Sequence, residues 1–364
     1  MSGACGSSSL QFVAHVCNRF DCPRLEADRA ADRGVNVLAA DSLEVLVLVE
    51  NWVDMLLSDQ AGSDTSPHCV SRAGLIHHFD PKLIPPAAEN GLSLLVTVRQ
   101  GRYTMRTLFD VGLTGTVLAH NLAALGTDPD SVDNLVISHG HPDHYGGVHR
   151  FLGMIERPIP VVTHADAFLP RYAVMADGRT APFYNAAFTQ PRVEEGGGRL
   201  VFSREPVDLG WGTVTTGEIP RETPFEGPRA AATPRGPGLY QVDRDGGFVL
   251  DEVWDEQGLV IDVKGEGLVV LTGCAHAGVV NTVRQARRIC GERPVRAVMG
   301  GFHLGFPTTP PENVAKTVDA LRDLDIQTIM PMHCSGLKAH AAFSTDLGER
   351  YVQPSVGTIL RFGS

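Results

Sequence analysis

An α/β fold with two sheets held between helix layers is what this sequence predicts, and three observations predict it. Short β-branched apolar runs recur in both halves of the chain, at residues 43–49, 92–98, 259–263 and 268–272. Stretches with helical spacing lie among them, at residues 117–125, 278–290 and 311–324. The 39 glycines and 24 prolines belong to a loop-rich α/β protein rather than to a helical bundle.

Taken in order, residues 1–42 are rich in Gly, Ser, Asp, Arg and Ala with little periodicity, and read as an N-terminal arm or small extension, partly disordered. Residues 43–364 form one catalytic domain. Its first strand, 43–49, is an apolar run that reads as buried. Residues 59–86 are polar and Pro-punctuated, hence a loop. A strand over 92–98 turns at Gln100-Gly101, a third covers 107–112 and ends in a Gly bend, and 135–138 is a short strand, as is 160–163. Positions 174–246 are dense in Gly, Pro, Arg and Glu, so an insertion of substrate-facing loops is expected, with short strands near 200–202 and 213–215. Regularity returns with strands at 259–263, 268–272, 295–299 and 328–332, and a last piece near 357–362.

Bulk properties exclude several functions. The net charge is −11, which gives no basic footprint for nucleic acid. No run approaches the ~20 apolar residues of a spanning helix, and MSGACGSSSL lacks a signal peptide's basic and apolar regions, so no membrane partner is expected. Seven cysteines at irregular spacing do not make a disulfide framework, and a reducing cytoplasm fits them better. Cys17 and Cys22 have half a zinc site's spacing, with no second pair. A small-molecule substrate is left, with a homo-oligomer open.

The chemistry concentrates in Ser138-His139-Gly140-His141-Pro142-Asp143-His144. His139 and His141 alternate in an extended turn and can converge on one ion, while Asp143 and His144 open the next element and can face a second. Imidazoles and a carboxylate suit zinc, iron or manganese. Two ions sharing a hydroxide would supply a nucleophile at neutral pH. Further donors sit at later strand ends: Cys274 and His276 after 268–272, and His333 after 328–332. Cys274 reads equally as a buried small thiol. His303, beside Gly300-Gly301, is a candidate to meet a substrate oxyanion or phosphate, or a satisfied structural histidine. His164 also ends a strand and suits a structural or rim role. The amides of Gly278 and Val279, opening a helix, and Arg221 are candidates for an anion.

The His-x-His-x-Asp-His string resembles the first ligand motif of the metallo-β-lactamase superfamily. The resemblance implies an αββα sandwich with two zinc ions at one edge (iron or manganese being alternatives), ligated by His139, His141, Asp143, His144, Cys274, His276 and His333. It also implies a catalytic Asp143. The superfamily's third motif usually supplies another histidine, yet Thr215-Thr216-Gly217-Glu218-Ile219-Pro220-Arg221 holds none. His276 is the preferred replacement, with Glu218 coordination or a weaker first metal as alternatives.

Further strings resemble one branch of that superfamily, the 7,8-dihydropterin-6-yl-methyl-4-(β-D-ribofuranosyl)aminobenzene 5′-phosphate synthases. They are Val49-Glu50-Asn51, Glu89-Asn90-Gly91-Leu92-Ser93, Leu108-Phe109-Asp110-Val111-Gly112, Gly273-Cys274-Ala275-His276-Ala277-Gly278, Gly300-Gly301-Phe302-His303-Leu304 and Pro331-Met332-His333-Cys334-Ser335-Gly336. The branch favours Asp where Glu50 stands, His where Asn90 stands, and Tyr and Thr where Pro142 and Tyr145 stand. The resemblance implies pterin-related chemistry, with Asn51, Glu218 and Arg221 as candidate substrate contacts. The expected function is a metal-dependent hydrolase or related transferase. Alternatives are an iron redox or oxygen-activating enzyme on the same fold, and a non-catalytic binding protein.

Overall fold

A computed structural model describes residues 38–62, 69–72, 84–227, 236–307 and 309–363. Most of the expected N-terminal arm, with Cys5, Cys17 and Cys22, therefore lies outside the described residues. Ala40 bridges to Val263 and the first strand begins at Ser42.

The first half contributes β1 (Ser42–Val49), β2 (Cys69–Arg72), β3 (Ser93–Gln100), β4 (Tyr103–Phe109), α1 (Thr116–Ala124), β5 (Asn134–Val136), α2 (Pro142–Tyr145), α3 (Val148–Leu152) and β6 (Ile159–Thr163). The middle contributes β7 (Arg171–Val174), β8 (Thr180–Pro182), α4 (Gln190–Glu195), β9 (Gly198–Phe202), β10 (Asp208–Gly210), β11 (Thr213–Thr215), β12 (Gly238–Val242) and β13 (Phe248–Leu250). The last part contributes β14 (Leu259–Val263), β15 (Gly267–Thr272), α5 (Val279–Cys290), β16 (Val295–Gly301), α6 (Pro311–Asp323), β17 (Thr328–Met332), α7 (Gly336–Leu347) and β18 (Thr358–Gly363).

An eight-stranded sheet runs β2-β18-β1-β3-β4-β5-β6-β9 and a six-stranded sheet runs β10-β11-β14-β15-β16-β17. Side-chain alternation along β3 shows how they pack. Leu94 and Val96 enter the core between the sheets, meeting Leu259, Ile261, Val269, Leu271, Met299 and Met330. Leu95 points the other way, into a cluster with Leu118 and Leu122 of α1, Phe151 of α3 and Val193 of α4. On the far face of the second sheet, Val270 and Val298 pack with Val280 and Val283 of α5, Leu321 of α6 and Phe343 of α7. This is the αββα sandwich. β15 is buried at every position because both its faces are covered, which is why it reads as an unbroken apolar run.

Three features depart from the sequence expectations. The stretch 59–86 is not all loop, because β2 adds to the sheet edge against β18. The region 174–246 is not only loops: β13-β12-β7-β8 form a separate four-stranded sheet. Helix α7 was not anticipated, as its ends are set by packing on α6 and β17 rather than by a clear apolar period.

The parallel ladders matter most for the site. β4, β5, β6 and β9 are parallel, as are β15, β16 and β17, so the carboxyl ends in each set share an edge. The expected donors leave from those ends, the usual place for ligand sites in α/β sheets.

Candidate metal centre

The first motif is shaped by its glycine and proline. A Cβ on Gly140 would stand 2.2 Å from the Ala167 carbonyl oxygen and 2.3 Å from Arg171 Nη1, so only glycine lets the chain pass there. Pro142 then starts the one-turn helix α2 with its φ already suited to the first helical position. Asp143 and His144 follow on that turn, while His139 and His141 stay in the extended stretch before it.

Four of the imidazoles, those of His139, His141, His144 and His333, have one nitrogen committed to an outer partner. His144 Nδ1 donates to Asp110 Oδ2 at 2.7 Å, leaving Nε2 3.1 Å from Cys274 Sγ. The Ser138 hydroxyl donates to Asp110 Oδ2 at 2.7 Å, so it accepts from His139 Nδ1 at 2.9 Å and the lone pair of His139 sits on Nε2. His141 Nε2 donates to Asp251 Oδ2 at 3.2 Å, which leaves Nδ1 unprotonated. His333 Nδ1 donates to Asn51 Oδ1 at 3.1 Å, and the same amide's Nδ2 donates to the His333 carbonyl at 3.1 Å, which identifies its oxygen. Such outer bonds set a ligand's tautomer and orientation.

The free nitrogens converge. His139 Nε2 and His276 Nε2 lie 3.2 Å apart. The ring centroids of His141 are 4.6 Å from His139 and 4.8 Å from His276. His333 Nε2 lies 3.2 Å from Asp143 Oδ2 without hydrogen-bond alignment, and Asp143 Oδ1 is buried with no hydrogen-bond partner among the described residues. His139, Cys274 and His276 bring three ligand atoms within 4.8 Å of one another, and so do His144, Cys274 and His333. Facing nitrogens of His139 and His276, the thiol of Cys274 and an orphaned carboxylate oxygen are donors that a cation between them would satisfy, so these residues fit a metal.

The electrostatics divide the histidines into two pairs. Burial, aided by neighbouring histidines, pushes His139 and His276 well below the usual imidazole range, keeping them neutral as ligands must be. Burial opposes charge on His144 and His333 too, but Asp110 and Asp143 outweigh it for His144, and Asp143 carries His333 up to about 9. Burial would raise Asp143, yet His144 and His333 hold it well below the carboxylate range.

A segment absent from the expectations braces the centre. Asp251, on His141, also accepts from Arg171 Nε at 2.7 Å. Asp255 accepts from Arg171 Nη2 and from the Gly140 amide, each at 2.7 Å. Glu256 accepts from the His276 and Ala277 amides at 2.7 Å. Gln257 ties to the carbonyls of Ile137 and Ser138. Burial pushes Glu256 up to about 7, and likewise Glu50, which accepts from the His333 amide at 3.0 and 3.1 Å. Nothing in the string Asp251-Glu252-Val253-Trp254-Asp255-Glu256-Gln257 marks it as a brace, because its partners in and beside the first motif are more than a hundred residues away. For Asp110 a signal existed: a carboxylate ending a buried strand next to Gly112.

The three residues expected to touch substrate are placed as follows. Asn51 is spent on His333. Glu218 lies 3.1 Å from His164 Nε2 and 2.6 Å from Arg204 Nε. Arg221 stacks 4.0 Å over Trp254 and donates to the Glu252 carbonyl. His303 does reach the centre, its ring 4.2 Å from His276. Glu226, rather than an incoming anion, takes the Val280 and Asn281 amides at the start of α5. Cys334, not singled out from the sequence, joins Cys274 and His303 in a third donor group.

The family model described as the metallo-beta-lactamase superfamily matches residues 95–333. The chain belongs to that superfamily. It is 34% identical over 275 residues to a 7,8-dihydropterin-6-methyl-4-(beta-D-ribofuranosyl)-aminobenzene-5′-phosphate synthase of Methanocaldococcus jannaschii, covering 76% of this chain and 90% of the relative. An uncharacterised protein of the same organism is 30% identical over 255 residues, covering 69% and 86%. A crystal structure described as a metal-dependent hydrolase of the beta-lactamase superfamily superposes with a TM-score of 0.62 at 24% identity, over 88% of this chain and 99% of that one, which shows the shared fold. Among the described residues no helix is long and apolar enough to cross a membrane.

Proposed function

We propose that this protein is a metal-dependent hydrolase, or related transferase, acting on a small molecule at a two-metal centre. His139, His141 and His276 would hold one ion, Asp143, His144 and His333 the other, with Cys274 between them. The observation that carries the reading is that the inward nitrogens of His139, His144 and His333, each opposite an outer hydrogen bond, meet a facing nitrogen, thiol or carboxylate at 3.1–3.2 Å. Bound there, such a pair supplies Lewis acidity and a nucleophilic water at neutral pH. The chain does the rest. Asp110, Asp251 and Asn51 keep the rings oriented, and Asp143 is the carboxylate placed to take a proton. His303, beside His276, is placed to meet charge developing on the substrate.

The relative's printed name suggests the substrate class. A pterin or an aminobenzene ribose phosphate would enter past Trp254 and Phe306, both of which are partly exposed. That relative is called a synthase, so transfer to an acceptor other than water is included. The test is elemental analysis of the purified chain, then turnover of phosphodiesters, lactones, amides and reduced pterins before and after stripping and reloading metal. Unchanged metal content and turnover in the double variant His139→Ala, Asp143→Ala would end the proposal.

A second reading is favoured by one observation: Cys274 belongs to every ligand group found. A thiol so placed also suits iron, and an iron redox enzyme would show iron by analysis and a visible band after aerobic purification. A binding protein would hold the ions and turn over none of the panel.

A further inference from the structure

We propose that Cys274, His303 and Cys334 form a separate, sulfur-rich corner that binds a thiophilic metal ion beside the two-metal centre. The proposal shares Cys274 with that centre, gives His303 to a metal ion in place of the substrate role stated above, and adds Cys334, which the centre does not use. A ring nitrogen of His303 and the two sulfurs lie within 4.8 Å of one another. Metal–sulfur bonds of about 2.3 Å and metal–nitrogen bonds of about 2.0 Å put tetrahedral donors roughly 3.5 Å apart, so the group is close to closing on an ion.

Three further observations point there. His303 Nδ1 is buried and has no hydrogen-bond partner among the described residues. The backbone of His303 is left-handed, with φ 52°, a conformation that costs a non-glycine residue energy and recurs at functional sites. The sister strand ends behave alike, at Ala275 (φ 54°) and His333 (φ 49°), so β15, β16 and β17 each turn sharply to aim a donor. Finally, Gly301 lets the chain pass close to the sulfur: a Cβ there would stand 2.7 Å from Cys334 Sγ. Phe306 covers the outer face of His303, with ring centroids 4.4 Å apart. Two sulfurs with one imidazole select zinc, cadmium or cuprous ion over magnesium or manganese.

The experiment is a cadmium titration of the full chain stripped of metal, followed by the ultraviolet sulfur-to-cadmium band and by bound cadmium at saturation. Cys334→Ser is expected to lose one ion per chain and about half of the band, keeping the others. His303→Gln should weaken that same ion about 10–100-fold. Equal bound cadmium and equal absorbance in Cys334→Ser and wild type would overturn the corner while leaving the two-metal centre standing. If His139→Ala instead binds as wild type and Cys334→Ser does not, the corner stands and the two-metal centre falls. Cadmium NMR of the unaltered chain decides the matter if a variant misfolds. A resonance in the two-thiolate range supports the corner, and resonances only in the nitrogen–oxygen and single-thiolate ranges refute it.

Discussion

His139 Nε2 and His276 Nε2 face each other at 3.2 Å, although the two residues stand 137 positions apart. The Ser138 hydroxyl accepts a hydrogen bond from His139 Nδ1–H, so His139 presents a lone pair to that contact. A shared cation suits this geometry. His276→Ala is therefore expected to lower bound metal by about one ion per chain, measured by elemental analysis, with the fold intact by circular dichroism. Full metal retention would exclude His276 as a ligand.

Asp110→Asn tests the outer bonds. Asp110 has φ 61°, and asparagine tolerates that left-handed backbone. The substitution removes the carboxylate that accepts from Ser138 N, Ser138 Oγ and His144 Nδ1. Metal affinity should fall about 10–100-fold, read by competition with a chelator, and the metal-free chain should lose about 1–3 kcal/mol of stability because one amide oxygen cannot serve three buried donors.

Asn51→Ala separates a positioning role from a substrate contact. Both hydrogen bonds of the Asn51 amide go to His333. The expected outcome is a metal affinity weaker by about tenfold, with KM for any substrate found unchanged at saturating metal. A raised KM with unaltered metal affinity would restore the substrate-contact role.

Arg171 is fully buried and bridges Asp251 and Asp255. Arg171→Met leaves two buried carboxylates without their cation. Removing one partner of such a group costs about 3–5 kcal/mol, which urea unfolding of the metal-free chain would register. A loss below about 1 kcal/mol would show that solvent enters this brace.

His340 predicts a pH dependence away from the metal ligands. Burial lowers it to about 4, and its Nε2 has no hydrogen-bond partner among the described residues. Its folded value lies below its unfolded one, so the unfolded chain binds the proton first as pH falls. Stability attributable to His340 is fully present above about pH 6.5 and is lost as pH falls through 4, by about 2–3 kcal/mol in all. Urea midpoints between pH 7 and 4 should fall less steeply in His340→Phe than in wild type.

Much of this was legible locally. The runs at 43–49, 268–272 and 328–332 are buried strands because they are mostly apolar, and such strands need cover on both faces. Residues 139–144 declare themselves because four donors fall within one turn of chain, where sequence spacing is spatial spacing. The small sheet β13-β12-β7-β8 was not legible, as its strands are short, partly exposed and separated by long stretches. Asn51, Glu218 and Arg221 were placed by analogy along the chain, and the folded chain engages each with a neighbour that one-dimensional spacing does not reveal.

By itself, then, the sequence determined the layers of the fold and which residues carry metal-binding chemistry, because periodicity and residue type are local properties. Only the tertiary structure decided which nitrogen of each histidine is free and which carboxylate holds the other. It also decided that a segment from 251 to 257 braces the first motif and that Cys334 joins Cys274. Those choices depend on hydrogen bonds and contacts between strand ends far apart in the chain, and parallel strands bring such ends to one edge only after the two sheets have packed.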